Sequence, residues 1–316
     1  MKRKTNYLSN KRVLVTGGAG FIGSHLVDDL ISRNNDVVII DDLSSGNKKN
    51  INKKCKFIKL STTKYKPLLK IFSNFKPEYV FHLAANTNVP LSIKDPIFDF
   101  QTLVGSLNLL EACRKYSPKL FIYISSGFIY GNTDNRPISE DEVYKPISPY
   151  SISKNTIENY LEFYHNVYGI EYVGLRPATI YGPRQDKGAL ADYITKLISN
   201  KQAEIYGDGT KTRDYLYISD AISGINHIID LPKTKRNKVF NIGTSLETSL
   251  LDVYRMIANL LGKKAKPIFC DERPGELLYY SIDHSLITKE TGWTPKISLL
   301  DGIKELLKYR KISIVK

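Results

Sequence analysis

The sequence has few cysteines: Cys55, Cys113 and Cys270 are the only ones in 316 residues. They lie far apart, match no metal-ligand spacing and are too few for a disulfide framework. We expect them to be buried as small apolar side chains. The five histidines form no ligand pattern, and we expect His25 and His82 to pack in the core or make local hydrogen bonds. We therefore predict no metal site.

The chain also lacks a long apolar run. No stretch reaches the roughly 18 uninterrupted apolar residues that a membrane-spanning helix requires. The start, MKRKTNYLSNKR, has charge but not the apolar segment of a signal peptide. With 316 residues and 42% hydrophobic content, the chain can bury a sizeable core in one large domain or two closely joined ones. We expect a soluble, cytoplasmic protein with no membrane partner.

Acidic residues are in the minority, with 32 Asp and Glu against 46 Lys and Arg and a formal net charge of +14. Such a charge can indicate a nucleic-acid partner. We interpret the basic residues here as spread along the chain, with acidic residues between them. Local clusters occur only at KRK (2–4) and KTKR (233–236). We expect a solvated lysine-rich surface, some cations for an anionic substrate, and no nucleic-acid partner.

Strand-like and helix-like patterns alternate from Arg12 onward. The stretch RVLVTGGAGFIGSHLVDDLISRNNDVVIIDDLSSG reads as a βαβ unit. Further strands are predicted by β-branched or aromatic runs at 56–60, 78–85, 119–126 and 172–178. This alternation predicts an α/β fold of the Rossmann type, with a doubly wound parallel sheet covered on both faces.

Two of the predicted helices carry further information. The first has an apolar stripe that should pack on the sheet, formed by Phe100, Leu103, Val104, Leu107 and Leu110. The second begins within SPYSISK, where Ser148 is a candidate N-cap and Pro149 the first helical residue. This cap would start the helix immediately before Tyr150.

After about residue 178 the pattern loosens into shorter strands and more turns. This change predicts a second, smaller, mixed α/β domain. The stretch AISGINHIIDLP followed by KVFNIG predicts a helix and a strand that return to the first domain. We expect a first domain over 1–178 plus about 213–245, and a second domain over about 179–212 and 246–316.

Gly18, Gly20 and Gly23 form a G-x-G-x-x-G pattern, preceded by Gly17, between the strand VLVT and a helix. Glycines let the backbone turn tightly and approach a pyrophosphate, and the helix N-terminus supplies free N–H donors and a partial positive charge. The pattern predicts a dinucleotide cradle; the alternative is a tight turn that binds nothing.

Asp41 ends the second predicted strand, eighteen residues beyond Gly23. Its carboxylate can accept hydrogen bonds from both hydroxyls of an adenosine ribose and would repel a 2′-phosphate. This favours NAD over NADP, although Lys48 and Lys49 lie nearby. The alternative is a carboxylate that only caps a loop.

Tyr150 and Lys154 lie four residues apart on the second helix, so their side chains share a face. This helix follows the strand that ends at Ser126, and open parallel sheets bind ligands at the carboxyl ends of their strands. A tyrosine with a pKa of about 10 is a poor base at neutral pH unless positive charge stabilises the phenolate, which Lys154 and a nicotinamide can supply. We predict one catalytic site; the alternative is a packed helix pair and an unrelated strand-end serine.

The motifs TGGAGFIGSH, HLAA, SSGFIYG, YSISK, RPATIYGPRQ, GDGTKTRDYLYISD, FNIGT, RPGE and GW-P follow one another along nearly the whole chain. Together they resemble the extended short-chain dehydrogenase/reductase family, in particular its nucleotide-sugar 4-epimerase branch of the UDP-glucose 4-epimerase kind. The resemblance is specific for the family and less specific for the substrate.

The resemblance implies that Tyr150 is the catalytic base, Lys154 binds the nicotinamide ribose and tunes Tyr150, and Ser126 holds the sugar hydroxyl. Tightly bound NAD would take a hydride from C4 and return it to the other face after the 4-keto sugar rotates, without net redox change. The implied substrate is a UDP-glucose or UDP-galactose type of nucleotide-diphosphate hexose. The implied assembly is a homodimer formed by the helix around 97–116 and the helix that begins near Tyr150.

The resemblance also implies that the first domain, of the Rossmann type, binds NAD and that the second binds the nucleotide sugar. It implies two sets of binding residues. The NAD-binding set is Gly17, Gly20, Phe21, Ile22, Gly23, Asp41, Asp42, Ser45, Gly46, Leu83, Ala84, Ala85, Tyr150 and Lys154. The substrate-binding set is Ser126, Tyr150, Thr179, Arg213, Arg273 and Tyr280, in which the two arginines contact the diphosphate. A tyrosine at 280 favours an unmodified hexose over an N-acetylated one.

The sequence departs from the family pattern at several positions. Related 4,6-dehydratases usually carry an acidic pair where this chain has Gly127 and Phe128, and decarboxylases keep a glutamate at the second position, so both activities are disfavoured. Ser61, Thr102 and Thr179 also replace residues usual in the family. These changes point to an unusual sugar, an altered cofactor grip or a shifted alignment.

Other functions remain open on the sequence alone. Epimerisation at another carbon and 4-keto reduction of a different nucleotide sugar are the nearest alternatives. A non-catalytic NAD-binding regulatory protein is a more remote one, because such a protein needs only the glycine cradle. A nucleic-acid role would rest on the net charge alone.

Overall fold

The computed structural model describes residues 8–315. The KRK cluster at 2–4, and residues 1–7 and 316 of the expected domains, lie outside the described residues. The strands, in chain order, are β1 Arg12–Thr16, β2 Asp36–Asp41, β3 Lys56–Lys59, β4 Tyr79–His82, β5 Leu120–Ile124, β6 Tyr172–Pro177, β7 Thr179–Tyr181, β8 Glu204–Tyr206, β9 Thr212–Arg213, β10 Tyr215–Tyr217, β11 Val239–Ile242, β12 Thr248–Ser249 and β13 Ile268–Cys270.

Helices connect most of these strands. They are α1 Phe21–Ser32, α2 Tyr65–Phe75, α3 Val89–Lys94, α4 Pro96–Tyr116, α5 Pro149–Tyr168, α6 Ala189–Ile198, α7 Ile218–Ile229, α8 Leu250–Leu260, α9 Ser285–Thr291 and α10 Leu299–Tyr309. Short 3-10 helices cover Lys48–Asn50, Gly127–Tyr130 and Lys233–Lys235. None of the helices in the described part of the chain is both long and apolar enough to cross a membrane.

Seven strands form one parallel sheet in the order β3-β2-β1-β4-β5-β6-β11. The chain runs outward from β1 to β3 and then restarts on the other side of β1 with β4. Ligands bind in the crevice outside the carboxyl ends of the strands at such a reversal. The predicted Rossmann-type sheet and its predicted strands are confirmed, including the return of 239–242 to its edge.

Both faces of the sheet are covered because alternate side chains of each strand enter two separate cores. Val13, Val15 and Ile39 face the core that also holds Leu26 and Leu30 of α1. On the opposite face, a second core contains Leu14, Ile40, Val80, Phe121, Leu68 of α2, Leu109 of α4 and Ile157 of α5. These layers hold the carboxyl ends of the strands at one edge.

The apolar stripe of α4 faces the sheet only in part. Leu110 is fully buried, and Leu103 and Leu107 pack against the core. Phe100 is 52% exposed, so its predicted packing on the sheet is wrong. A helical period identifies a stripe but does not say which neighbour covers it, and the first turns of α4 present Ile97 and Phe100 outward.

The chain beyond residue 178 contributes short strands outside the main sheet. Three two-stranded sheets pair β7 with β10, β9 with β12, and β8 with β13. Helices α6 and α8 pack against each other in this part of the molecule. The division into two domains at the boundaries given above stays a prediction.

The basic residues are less evenly spread than expected. Between Leu43 and Pro77 the chain has ten lysines and no acidic residue, so this stretch supplies most of the net charge of +14. All ten are exposed, and two of them, Lys56 and Lys59, lie on the edge strand β3. Lysines on an edge strand oppose pairing with another chain.

The expectation of buried cysteines holds for Cys113 but is wrong for Cys55 and Cys270, which are partly exposed.

Candidate active site

The glycine loop follows β1 and fits closely against the end of β4. Gly17 has a positive φ of 72°, and a Cβ there would lie 2.8 Å from the Ala84 nitrogen and 2.9 Å from the Leu83 carbonyl carbon. A Cβ at Gly23 would collide with the Gly17 carbonyl oxygen. The loop therefore requires glycine at both positions and brings Gly17, Gly23, Leu83 and Ala84 together.

Helix α1 begins directly after this loop. Gly20 is its N-cap and has no side chain to accept from the first turn. The first backbone hydrogen bond runs from Ser24 N–H to the Gly20 carbonyl oxygen at 3.0 Å. The N–H groups of the first turn, which includes Phe21 and Ile22, have no intrahelical acceptor and can hold an anion. The close loop and these free donors fit the pyrophosphate of a dinucleotide.

Asp41, at the end of β2, is buried and fixes the loop that follows. Its carboxylate accepts hydrogen bonds from Ala19 N–H at 3.0 Å and Leu43 N–H at 2.8 Å. A Cβ at Gly46 would lie 2.8 Å from one of the carboxylate oxygens, so only glycine leaves that side of Asp41 open. The carboxylate thus caps a loop, and its side facing Gly46 stays free of side chains.

The other predicted cofactor residues lie around these groups. Asp42 is exposed and accepts from Ser44 N–H at 2.9 Å, and Ser45 is also exposed. Ala85 is partly exposed at the end of β4. The cofactor set therefore gathers at the carboxyl ends of β1, β2 and β4.

Helix α5 begins as predicted. The Ser148 hydroxyl accepts from Ser151 N–H at 3.2 Å, the Ser151 hydroxyl accepts from Ser148 N–H at 3.1 Å, and Pro149 is the first helical residue. This reciprocal cap fixes the helix start. It places Tyr150 in the first turn and Lys154 one turn further, beside the end of β5.

Lys154 is buried and attached to the end of β5. Its Nζ donates to the Ile124 carbonyl oxygen at 2.7 Å and lies 4.8 Å from the centroid of the Tyr123 ring and 6.0 Å from that of Tyr150. Burial lowers the pKa of Lys154 to about 8, against the opposing charges of Asp99 and Glu158. Slightly above neutral pH, Lys154 is therefore unprotonated in a large fraction of the molecules.

Tyr150 and Ser126 meet at the end of β5. Burial raises the pKa of the Tyr150 hydroxyl, a hydrogen bond with the Ser126 side chain lowers it, and the negative charge of Asp99 raises it, for a net increase. The Ser126 Oγ also accepts from Phe128 N–H at 3.2 Å, which orients it. The predicted trio of Ser126, Tyr150 and Lys154 is thus one cluster, and its tyrosine is protonated at neutral pH in the protein alone.

Two aromatic side chains adjoin this trio. The Phe128 ring lies edge-to-face with Tyr150, with centroids 6.3 Å apart, and edge-to-face with Tyr280 at 5.4 Å. Tyr280 is fully buried and its hydroxyl donates to the Pro177 carbonyl oxygen at 3.3 Å. That hydroxyl fills the space that a Cβ at Gly127 would occupy. Tyr280 therefore lies beside the trio, and its place in a sugar pocket stays a prediction.

The remaining predicted substrate-binding residues, Thr179, Arg213 and Arg273, lie in the part of the chain that follows β6. Arg213 donates to the Thr212 carbonyl oxygen at 2.7 Å, and within residues 8–315 no carboxylate pairs with it. Burial lowers the pKa of Arg213. Thr179 N–H donates to the Asp214 carbonyl oxygen at 2.9 Å, which joins β7 to the Arg213 segment. Arg213 is a partly buried cation that suits an anionic ligand.

Arg273 is more exposed and lies on a loop. Its guanidinium carbon stands 3.2 Å from the centroid of the Tyr206 ring, and its Nη1 is 3.9 Å from a Glu276 oxygen. These contacts join it to β8 and to its own loop, not to Ser126 or Tyr150.

Comparison with known proteins identifies the family. Residues 13–243 match the NAD dependent epimerase/dehydratase family. A putative UDP-glucose 4-epimerase of Methanocaldococcus jannaschii is 38% identical over 306 residues, covering 95% of this chain and 98% of that protein. The chain belongs to the NAD dependent epimerase/dehydratase family. It is accordingly an enzyme of the epimerase type, an isomerase, and its cofactor is NAD.

Solved structures of family members resemble this one closely. The UDP-glucose 4-epimerase of Thermotoga maritima, solved with UDP-glucose, is 39% identical with a TM-score of 0.92, covering 95% of this chain and 98% of that one. The UDP-glucuronic acid 4-epimerase of Bacillus cereus, solved with UDP-glucuronic acid and NAD, is 33% identical with a TM-score of 0.89, covering 95% and 98%. Family members with this fold therefore act on different sugars.

The sequence analysis missed two buried carboxylates beside the trio. Asp99 accepts from the Ser153 hydroxyl at 2.7 Å and from the Asn86 amide at 3.3 Å. Glu158 accepts from the Ser125 hydroxyl and pairs with Arg176 at 2.6 Å. Glu158 follows Lys154 by one helical turn, so the spacing in α5 was a usable signal.

Two positions that depart from the family pattern, Ser61 and Thr102, have local side-chain partners. The Ser61 hydroxyl bonds to that of Thr63 at 3.0 Å, and Thr102 accepts from Asn86 N–H at 3.0 Å.

The two histidines singled out in the sequence behave as expected: His25 bonds the Pro183 carbonyl oxygen, and His82 bonds two hydroxyls in the core. Among residues 8–315, no three His, Cys, Asp or Glu side chains group as metal ligands.

Proposed function

We propose that this enzyme interconverts UDP-glucose and UDP-galactose by epimerisation at C4, through a transient 4-keto sugar. The observation that carries the proposal is the cluster formed by Ser126 and Tyr150, whose side chains interact, beside the buried Lys154. The pair lies at the carboxyl ends of parallel strands, next to the glycine cradle for NAD. Gly127 and Phe128 supply no carboxylate there that could drive water elimination.

NAD bound in the cradle supplies the reversible redox chemistry at the sugar carbon. The Tyr150 oxygen takes the proton of the C4 hydroxyl and later returns it. Ser126 donates to or accepts from the same substrate oxygen and keeps it at hydrogen-bond distance from Tyr150. The two side chains thus handle one proton at one oxygen in both directions of the reaction.

Lys154 provides the positive charge that the reaction requires. The pKa of Tyr150 is raised in the protein alone, so its deprotonation needs a nearby cation. Lys154 is tied to the Ile124 carbonyl oxygen at 2.7 Å, which fixes its ammonium group between Tyr123 and Tyr150. From this position it would hold the nicotinamide ribose of bound NAD and would stabilise the phenolate.

The substrate diphosphate binds Arg213, supported by Arg273. Within residues 8–315 Arg213 forms no salt bridge, although the charge of Glu276 acts on it, and it is already partly desolvated. A guanidinium group of this kind pairs well with phosphate oxygens. Arg273 lies on the loop before Tyr280 and is the second cation that we assign to the diphosphate. Thr179 lines the site beside the Arg213 segment.

Tyr280 restricts the sugar to an unmodified hexose. It is fully buried and fixed between Gly127, Phe128 and the Pro177 carbonyl oxygen. An N-acetyl group would have to displace it. Turnover of UDP-N-acetylglucosamine at the same rate as UDP-glucose would remove this part of the proposal.

The enzyme is a homodimer in this proposal. Helices α4 and α5 pack together and expose large apolar side chains on their outer surfaces: Ile97, Phe98, Phe100, Ile152, Tyr160, Phe163 and Val167. Exposed large apolar side chains on two neighbouring helices favour an interface there. Size-exclusion chromatography with light scattering should give twice the chain mass, and a monomer at micromolar concentration would contradict the assembly.

The test of the reaction is a proton NMR time course of the purified enzyme with UDP-glucose and no added cofactor. We expect the galactose anomeric signal to grow to an equilibrium mixture. A reductase instead requires and consumes a reduced cofactor, and an epimerase acting at another carbon gives a different anomeric signal. An unchanged spectrum after addition of NAD would contradict the proposal.

A further inference from the structure

Three aromatic rings form a continuous row beside the reacting hydroxyl: Tyr150, Phe128 and Tyr280, named here the aromatic row. Phe128 stands in the middle, 6.3 Å from the Tyr150 centroid at an interplanar angle of 87° and 5.4 Å from that of Tyr280 at 75°. Both contacts have the edge-to-face geometry that aromatic pairs prefer. Phe128 is therefore in direct contact with the residue that handles the substrate proton.

The position of Phe128 is fixed from three sides. Its N–H donates to Ser126 Oγ at 3.2 Å, so its backbone is tied to the residue that holds the substrate hydroxyl. Gly127 leaves room for the Tyr280 hydroxyl, which is tied in turn to the Pro177 carbonyl oxygen at 3.3 Å. The ring is therefore packed between Tyr150 and Tyr280 and forms an apolar wall beside Ser126.

This wall has no group that can pair with a charge. The reacting carbon must lie at the Tyr150 hydroxyl, so the rest of the sugar ring extends over the neighbouring side chains, of which Phe128 is one. A carboxylate that replaces a hydroxymethyl group on such a ring would lose water against the phenyl face and gain no donor there. A neutral hydroxymethyl group loses much less.

We propose that Phe128 is a specificity-determining residue that confines this enzyme to neutral hexoses and rejects nucleotide sugars with a carboxylate on the sugar ring. The inference rests on the proposed 4-epimerase function and adds a substrate class to it. The proposed effect of Phe128 concerns a carboxylate on the sugar, whereas the predicted effect of Tyr280 concerns an N-acetyl group.

The test compares UDP-glucose with UDP-glucuronic acid in the wild type and two variants. Phe128→Ser opens the wall and offers a hydroxyl, whereas Phe128→Leu keeps an apolar side chain and is the matched control. The measured quantity is the ratio of kcat/KM for UDP-glucuronic acid to that for UDP-glucose. We expect a ratio well below one in the wild type and in Phe128→Leu, and an increase of at least about tenfold in Phe128→Ser.

Two results would overturn the inference while leaving the 4-epimerase proposal intact. One is a wild type that converts both sugars equally well. The other is a Phe128→Ser variant that folds, as judged by its melting temperature, and keeps the wild-type ratio.

If Phe128→Ser does not fold, the inference is tested by the wild type alone, through its ratio of kcat/KM for UDP-glucuronic acid to that for UDP-glucose. If the wild type converts neither sugar, the 4-epimerase proposal fails, and the dissociation constants of both nucleotide sugars by calorimetry then test the inference separately. Binding of UDP-glucuronic acid as tight as that of UDP-glucose overturns it. Binding at least about tenfold weaker supports it.

Discussion

The hydroxyl of Tyr280 occupies the space that any side chain at residue 127 would need. Gly127 has no Cβ, and Tyr280 is consequently able to reach the Pro177 carbonyl oxygen at 3.3 Å and to pack against Phe128. Two residues from distant parts of the chain are thus mutually dependent. The consequence can be measured with a pair of substitutions.

Gly127→Ala should destabilise the protein by about 1–3 kcal/mol, because the new methyl group overpacks a fixed aromatic ring. Tyr280→Phe removes the colliding oxygen, so the same Gly127→Ala change should cost less in that background. Urea unfolding of the wild type, both single variants and the double variant gives the coupling energy. Additive effects of the two substitutions would mean that the contact does not constrain either residue.

Tyr150→Phe removes the proposed acceptor of the substrate proton and should lower kcat with UDP-glucose by at least about 10²-fold. Binding of NAD and of UDP-glucose should persist in calorimetry, since the ring and its contact with Phe128 remain. Tyr168→Phe, at the exposed end of the same helix, is the matched control and should keep full turnover. Turnover at the wild-type rate in Tyr150→Phe would exclude Tyr150 from the mechanism.

Asp99→Asn should shift the pH range of activity to lower pH. The negative charge of Asp99 raises the pKa of both Lys154 and Tyr150, so its removal lowers both. The alkaline limb of kcat, where Lys154 loses its proton, and the acidic limb, where Tyr150 gains one, should both move down.

The control for this change is Asp95→Asn, at the N-cap of the same helix, because asparagine caps as well as aspartate. Its kcat profile against pH should match the wild type. An alkaline limb that stays in place or moves up in Asp99→Asn would contradict the electrostatic role of Asp99.

The buried ion pair of Glu158 and Arg176 should matter for stability more than any surface pair. Their side chains are only 6% and 4% exposed. Glu158→Ala leaves a buried, unpaired guanidinium and should cost about 3–5 kcal/mol of unfolding free energy in urea. Arg255→Ala breaks an exposed pair with Asp252 and should cost no more than about 1 kcal/mol. Equal losses in the two variants would contradict this ranking.

Most of the fold followed from local patterns in the sequence. The glycine loop, the strands of the main sheet and the Ser148 cap each depend on neighbouring residues, so periodicity and capping rules predicted them. The cluster of Ser126, Tyr150 and Lys154 was predicted because strand ends and a helix start fix the direction of those side chains.

The features that the sequence did not predict all depend on packing between distant segments. The contact of Tyr280 with Gly127 and Phe128 joins the loop after β5 to the far end of the chain. The burial of Asp99 beside Lys154 depends on how α4 packs against α5. The outward position of Phe100 has the same origin, since a helical stripe does not reveal which neighbour covers it.

The most direct test of the proposed reaction uses UDP-glucose with deuterium at C4, incubated with the enzyme in ordinary water without added cofactor. Because the C4 hydrogen leaves and returns within one closed site, the account predicts UDP-galactose that keeps its deuterium at C4 by NMR and mass spectrometry. UDP-galactose with protium at C4, or no UDP-galactose at all, would contradict it.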